Sequence, residues 1–230
     1  MRKKMFLLFL VLLVALQACS VESVIHPSQP ISANNLSIDI TIVEDSSRNS
    51  LVPVKVRFYD NNNALVEFGK GETISCNDIL LTSDGGGEYA GSVPYPSGKY
   101  GGSYLFEYKI PHASSATVVV FVQPSPVFRY PTGGQTLLIP RETHSLVISY
   151  DSRPGSQISA IASDSYGNQA QGPPEEASGI YTINTANFIA FRPGGGRISL
   201  TRESTSQLSG DFRSVTITYD LISMIPVIWF

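Results

Sequence analysis

The chain has 230 residues, with 16 Lys and Arg against 19 Asp and Glu and a formal net charge of −3. Only 15% of residues are charged while 42% are hydrophobic, which excludes a disordered chain. The mildly acidic balance gives no electrostatic reason for a nucleic-acid partner.

The first element is an export signal. Arg2, Lys3 and Lys4 precede Met5 to Leu16, a run without polar groups. That run is too short for a bilayer core, which needs about 20 apolar residues. It leads into Leu16-Gln17-Ala18-Cys19, which resembles the lipobox of bacterial lipoproteins. The resemblance implies a signal peptide at 1–18, cut away after Cys19 takes a diacylglyceryl thioether, and a newly acylated N-terminus. Two or three acyl chains anchor stably where one does not. Ser20 stands where aspartate would retain a lipoprotein at an inner membrane, so the resemblance implies the outer membrane in a cell that has one. Three of the basic residues lie before Cys19, leaving a mature net charge of −6 without a basic cluster.

Residues 19–35 have no periodicity and two prolines, and they read as a lipidated tether. Sixteen extended residues reach roughly 50 Å. From Leu36 the period changes to two: Leu36, Ile38, Ile40 and Ile42 alternate with polar residues, as do Val52, Val54, Val56 and Phe58. This alternation predicts half-buried strands. Further strands are predicted at 64–68, 73–76, 79–81, 89–93, 102–108 and 117–122. Cys76 alternates with Ile74 and reads as a small buried hydrophobe. With Cys19 lipidated it has no disulfide partner.

"GGSYLFEY" resembles the late Gly-x-Tyr strand of immunoglobulin-like and fibronectin-type domains, and the resemblance implies a tyrosine corner at Tyr104 or Tyr100. Val122 to Gly134 reads as a linker. A second series follows at 135–139, 145–150, 158–162, 180–183, 188–191, 197–201 and 214–219, closed by an apolar stretch from Met224 to Phe230. The expected fold is all-β: two tandem antiparallel immunoglobulin-like β-sandwiches at 36–123 and 124–230. A single larger sandwich is the alternative.

The sequence contains no catalytic motif. His26, His112 and His144 have no metal-ligand spacing, and G-x-S-x-G and the phosphate loop are absent. "GGG" at 194–196 precedes no helical pattern. Adjacent Glu175 and Glu176 do not face each other across a sugar. The loops at Asp60 and Asp84 carry oxygen ligands that suit calcium, yet turn chemistry explains both. No metal and no cofactor is therefore expected. Ser163 to Gly179 reads as a long polar loop, and such loops often carry function. There Tyr166 could stack on a glycan or peptide, with Asn168, Gln169 and Gln171 as hydrogen-bonding partners. Trp229 reads as packed on the last strand.

The expected protein is thus membrane-anchored through Cys19 on the extracytoplasmic face and is not an enzyme. It is a binding or scaffolding module for polysaccharide, cell wall or an envelope protein. The alternatives are a structural subunit that pairs through an exposed sheet edge and an accessory domain of a hydrolase.

Overall fold

The computed structural model describes residues 23–45, 51–96, 98–100, 102–113, 115–130, 135–140, 143, 145–184, 190–208 and 210–230. The signal peptide, Cys19 and His144 lie outside the described residues. The first strands are β1 (Val24–Ile25), β2 (Ser37–Asp45), β3 (Leu51–Tyr59), β4 (Leu65–Val66), β5 (Thr73–Cys76), β6 (Ile79–Leu80), β7 (Thr82–Ser83), β8 (Glu88–Pro94), β9 (Ser103–Lys109) and β10 (Ala116–Phe121). They are followed by β11 (Phe128–Tyr130), β12 (Leu137–Ile139), β13 (Ser145–Tyr150), β14 (Gln157–Asp164), β15 (Gln169–Gln171), β16 (Glu175–Glu176), β17 (Ile180–Asn184), β18 (Gly194–Leu208) and β19 (Ser214–Trp229).

The protein is all-β and built as stacked sheets. One large sheet runs β1-β4-β3-β2-β19-β18-β14-β15, with β8 added beside β3 and β12 beside β19. Two smaller sheets, β10-β9-β5-β6 and β11-β13-β17, cover it. Burial alternates without a break along β2, β3 and all of β19. The period-two pattern therefore puts both hydrophobic cores on one side of the large sheet. The first core joins Ile38, Val54, Tyr89, Phe106 and Val118, and the second joins Ile148, Ile158, Tyr181, Ile198 and Trp229.

The division at 123/124 does not separate the two cores. β18 and β19 form one hairpin paired from Gly194–Trp229 to Leu208–Val215. Its far half lies parallel to β2, from Ser214–Ser37 to Ile222–Asp45, and contributes Phe212, Val215, Ile217, Tyr219 and Leu221 to the first core. The segments expected at 214–219 and 224–230 are thus one strand. By pairing with β2, the hairpin makes one continuous sheet of both sandwiches and closes an edge that would otherwise stand open.

The junction between the cores is polar and buried. Ser223 Oγ donates to Pro126 O at 2.5 Å, and Arg202, fully buried, donates to Asp151 O at 2.5 Å and pairs with its carboxylate at 3.0 Å. Arg202 also reaches Pro124 O at 3.4 Å. These bonds satisfy the Pro124 and Pro126 carbonyls of the segment that crosses between the small sheets, and the Asp151 carbonyl just after β13, as buried backbone requires. Beside them Tyr104 and Tyr219 both donate to Glu44 Oε1. Tyr104 is therefore no tyrosine corner, because its hydroxyl bonds a carboxylate on β2. The Tyr100 side chain lies outside the described residues.

Two further expectations are corrected. Residues 23–35 are not a free tether. β1 lies parallel to β4, Leu65 and Glu67 donate backbone bonds to Ser23 and Ile25, and Ile25, Ile31 and Ala33 pack on the first core. The assigned linker contains β11, anchored by buried Phe128 and paired with β13. Of the strand expected at 188–191, residues 188–189 lie outside the described residues, and Phe191 is a core residue outside any strand.

Candidate functional site

The strand directions give the molecule two poles. β19 starts beside Ser37, which pairs Tyr59, which pairs Leu65, the partner of Val24. β1 runs in the direction of β19, so the chain enters at the pole where β19 begins. β19 ends at the opposite pole, roughly 50 Å away at strand rise.

At this distal pole the sequence predicted a long loop, and the structure holds a hairpin. β14 turns directly into β15, with Ser163 opposite Gln169 and Ile161 opposite Gln171. The Asp164 carboxylate shapes the turn: Oδ1 accepts the N–H groups of Tyr166 and Asn168 at 2.9 Å each, and Oδ2 accepts Asn168 Nδ2 at 2.7 Å and Arg192 N at 2.9 Å. Gly167 adopts φ +91°, the left-handed region that glycine enters at low cost. This Asx-type turn replaces the aperiodic loop expected from Ser163 to Gly179.

The four predicted residues separate into roles. Tyr166 stands at the tip, 62% exposed, with the Arg192 guanidinium 4.9 Å from its ring centroid. Gln169 and Gln171 are exposed on the solvent face of β15, two residues apart and on one side. The Asn168 side-chain amide is bound to Asp164, so it shapes the turn. Sequence reasoning missed Arg192: a cation–π pair 26 positions apart in the chain has no local signal. Arg197, opposite Pro226 and exposed, adds a second positive charge to the same pole.

Burial pushes the Asp164 carboxyl up, and the bonds from Arg192, Asn168 and Tyr166 outweigh that and hold it down at about 2. An unfolded aspartate titrates near about 3.9. The stability this group contributes is therefore complete above that value and is lost as pH falls through about 2. Over this acid window the wild-type protein should lose melting temperature more steeply than Asp164→Asn. Parallel curves would contradict the assignment.

A second surface lies on the solvent face of the first sandwich. Register sets Glu88, Arg57, Asp39 and Thr216 in one row and Lys55, Thr41 and Thr218 in the next. With Tyr59 they line a groove of about 280 Å³. Glu88 accepts Lys55 at 2.8 Å and Arg57 at 2.8 and 3.0 Å. The bond from Lys55 does most to hold its carboxyl below the usual range.

Elsewhere the titratable groups serve structure. Asp60 Oδ1 accepts the N–H of Asn62 and Ala64, and Asp84 Oδ1 accepts that of Gly86, so both loops carry the turn chemistry expected of them. Among the described residues no group of three His, Cys, Asp or Glu could hold a metal ion. Glu72 accepts Tyr108 and Gly69 N, and Cys76 is buried with its thiol pushed up to about 12 by desolvation. A thiol held that far up is not a nucleophile near neutral pH. Glu175 and Glu176 form the short β16 against β14. Among the described residues no helix is long and apolar enough to cross a membrane.

No protein-family model matches this chain, and no curated protein does. Among solved structures it is similar to the BSP domain of a biofilm-associated protein, at 15% identity and TM-score 0.24, covering 80% of this chain and 29% of that one. It is similar to a 1.5-MDa bacterial ice-binding adhesin at 12% identity and TM-score 0.25, covering 84% of this chain and 66% of that one. It is also similar to the IG1 and IG2 domains of DIP-gamma at 8% identity and TM-score 0.23, covering 84% and 97%. The chain spans under a third of the first of these and about two thirds of the second. Likeness at this level says nothing about function, and the all-β reading stands on the strands described above.

Proposed function

We propose that this protein is a non-enzymatic extracytoplasmic binding module, anchored at one pole through acylated Cys19 and binding envelope polysaccharide at the other. The observation that carries the reading is polarity: the chain enters beside the start of β19, and Tyr166, Arg192, Gln169 and Gln171 cluster where β19 ends. An exposed ring backed by a guanidinium, next to two free-standing amides, suits stacking on a sugar face and hydrogen bonding to its hydroxyls.

Docking of residues 23–35 changes the reach of the anchor. From Cys19 to Ser23 the chain spans at most about 14 Å. The first sandwich is then held close to the lipid, and the length of the protein itself carries the binding pole outward.

The anchor is tested on the full chain grown with labelled palmitate. Wild type should enter the membrane fraction labelled, with a mature N-terminal peptide that begins at acylated Cys19. Cys19→Ala should lose the label. A labelled Cys19→Ala chain, or an unacylated wild type, contradicts the anchor.

A further inference from the structure

The solvent face of the large sheet changes character along β19. Odd-numbered residues of this strand are buried, so its even-numbered residues face outward. In the first half these are Ser214, Thr216, Thr218 and Asp220; in the second half they are Ile222, Met224, Pro226 and Ile228, and exposed Phe230 follows one residue past the strand. Met224 is 43% exposed, Ile228 41% and Phe230 59%, and Leu138 on β12, opposite Ile228, is 63% exposed. A strand whose both faces are apolar is expected to be covered on both. The exposed strip amounts to a few hundred Å², the size of the largest apolar patch on a typical monomer, which is often functional.

We propose that this face pairs with the same face of a second copy of the chain, antiparallel, about a twofold axis between Ile222 and Met224. The complementarity follows from the registers. Arg197 lies opposite Pro226 and Glu203 opposite Asp220, so the two rows are equidistant from that axis. Each Arg197 then meets the Glu203 of the other copy. By the same operation Phe230 falls over Thr216 and Leu138 over Thr41, so the apolar end of one copy lies along the threonine edge of the other's groove, beside Asp39 and on the side away from Glu88. Met224 packs on Ile222.

The face also holds unmet acceptor capacity. Asp220 Oδ1 is buried without a partner in the single chain, and Asp220 sits beside another carboxylate, Glu203. Burial, and then Glu203, hold its carboxyl above the usual range, as an approaching guanidinium would relieve. A ribbon about 50 Å long and about 15 Å wide buries roughly 750 Å² per copy, enough for an interface of standard size.

The pairing does not depend on any ligand at the distal pole. Its consequence does rest on the anchor at Cys19. Antiparallel copies carry their anchors at opposite ends, and a reach of about 14 Å cannot return both to one bilayer. Paired copies therefore join two apposed membranes.

Sedimentation equilibrium of the full chain in density-matched detergent should show a dimer. Met224→Glu and Arg197→Glu should each weaken it by about tenfold or more. The double change Arg197→Glu with Glu203→Arg should restore it. A wild-type chain that stays monomeric at every concentration overturns the proposal, as does a dimer indifferent to these changes or a double variant that fails to recover. A monomer that binds bare anionic vesicles through Met224 would assign the face to a lipid surface instead. Neutral phosphatidylcholine vesicles carrying the acylated chain should cluster. A dimer in detergent without clustering overturns the antiparallel order.

Discussion

Replacing Arg202 with alanine is expected to lower the stability of the protein by about 3–5 kcal/mol, the combined cost of a large buried side chain lost and of buried carbonyls left without a donor. Arg202 is fully buried where the two cores meet. Its guanidinium bonds the carbonyl and carboxylate of Asp151 and reaches Pro124 O. Asp151 also accepts Val127 N, so the same carboxylate fixes the start of β11. Alanine would strand these acceptors beneath the small sheets and open a cavity at the junction. Urea unfolding followed by the fluorescence of the single tryptophan, Trp229, reports the loss. A cost under about 1 kcal/mol would mean that the crossing segment is held by something other than this side chain.

Trp229→Ala should be as severe, about 3–5 kcal/mol, and should act on the distal pole first. The indole is fully buried, donates to Ser163 O at 3.1 Å and meets Phe191 edge-on at 4.7 Å. Gly196 makes room for it: a Cβ there would stand 2.2 Å from Ser163 O and 2.3 Å from the indole nitrogen. The glycine run at 194–196 therefore has a packing reason. Circular dichroism melts of Trp229→Ala should show the shift. A change of only a degree or two would contradict this anchoring role for the indole.

The parts of the fold that were legible share one property. In β2, β3 and the first half of β19, apolar residues recur at every second position with polar or solvent-facing residues between them, and one buried face suffices to reveal them. The rest fails for identifiable reasons. The second half of β19 is apolar on both faces, so its period is hidden. β15, with the sequence Gln-Ala-Gln, has one apolar residue and no period to read. Its hairpin rests on the Asp164 carboxylate, whose bond to Arg192 N joins residues 28 apart. Glu44 lies in phase with Ile38, Ile40 and Ile42 and is buried with them, a signal present in the alternation. Its tyrosine partners come from β9 and β19, and only the topology brings them there. For the candidate site, Tyr166, Gln169 and Gln171 were visible as exposed polar and aromatic residues, whereas Arg192 was not.

The most direct test of the central claim, binding at the pole opposite the chain's entry, is co-sedimentation of the full chain with insoluble cell-wall and polysaccharide fractions. Wild type should be retained, and Tyr166→Ala should reduce retention by about fivefold or more, the value of one stacked ring. Equal retention of the two chains, or none by either, would contradict binding at the distal pole.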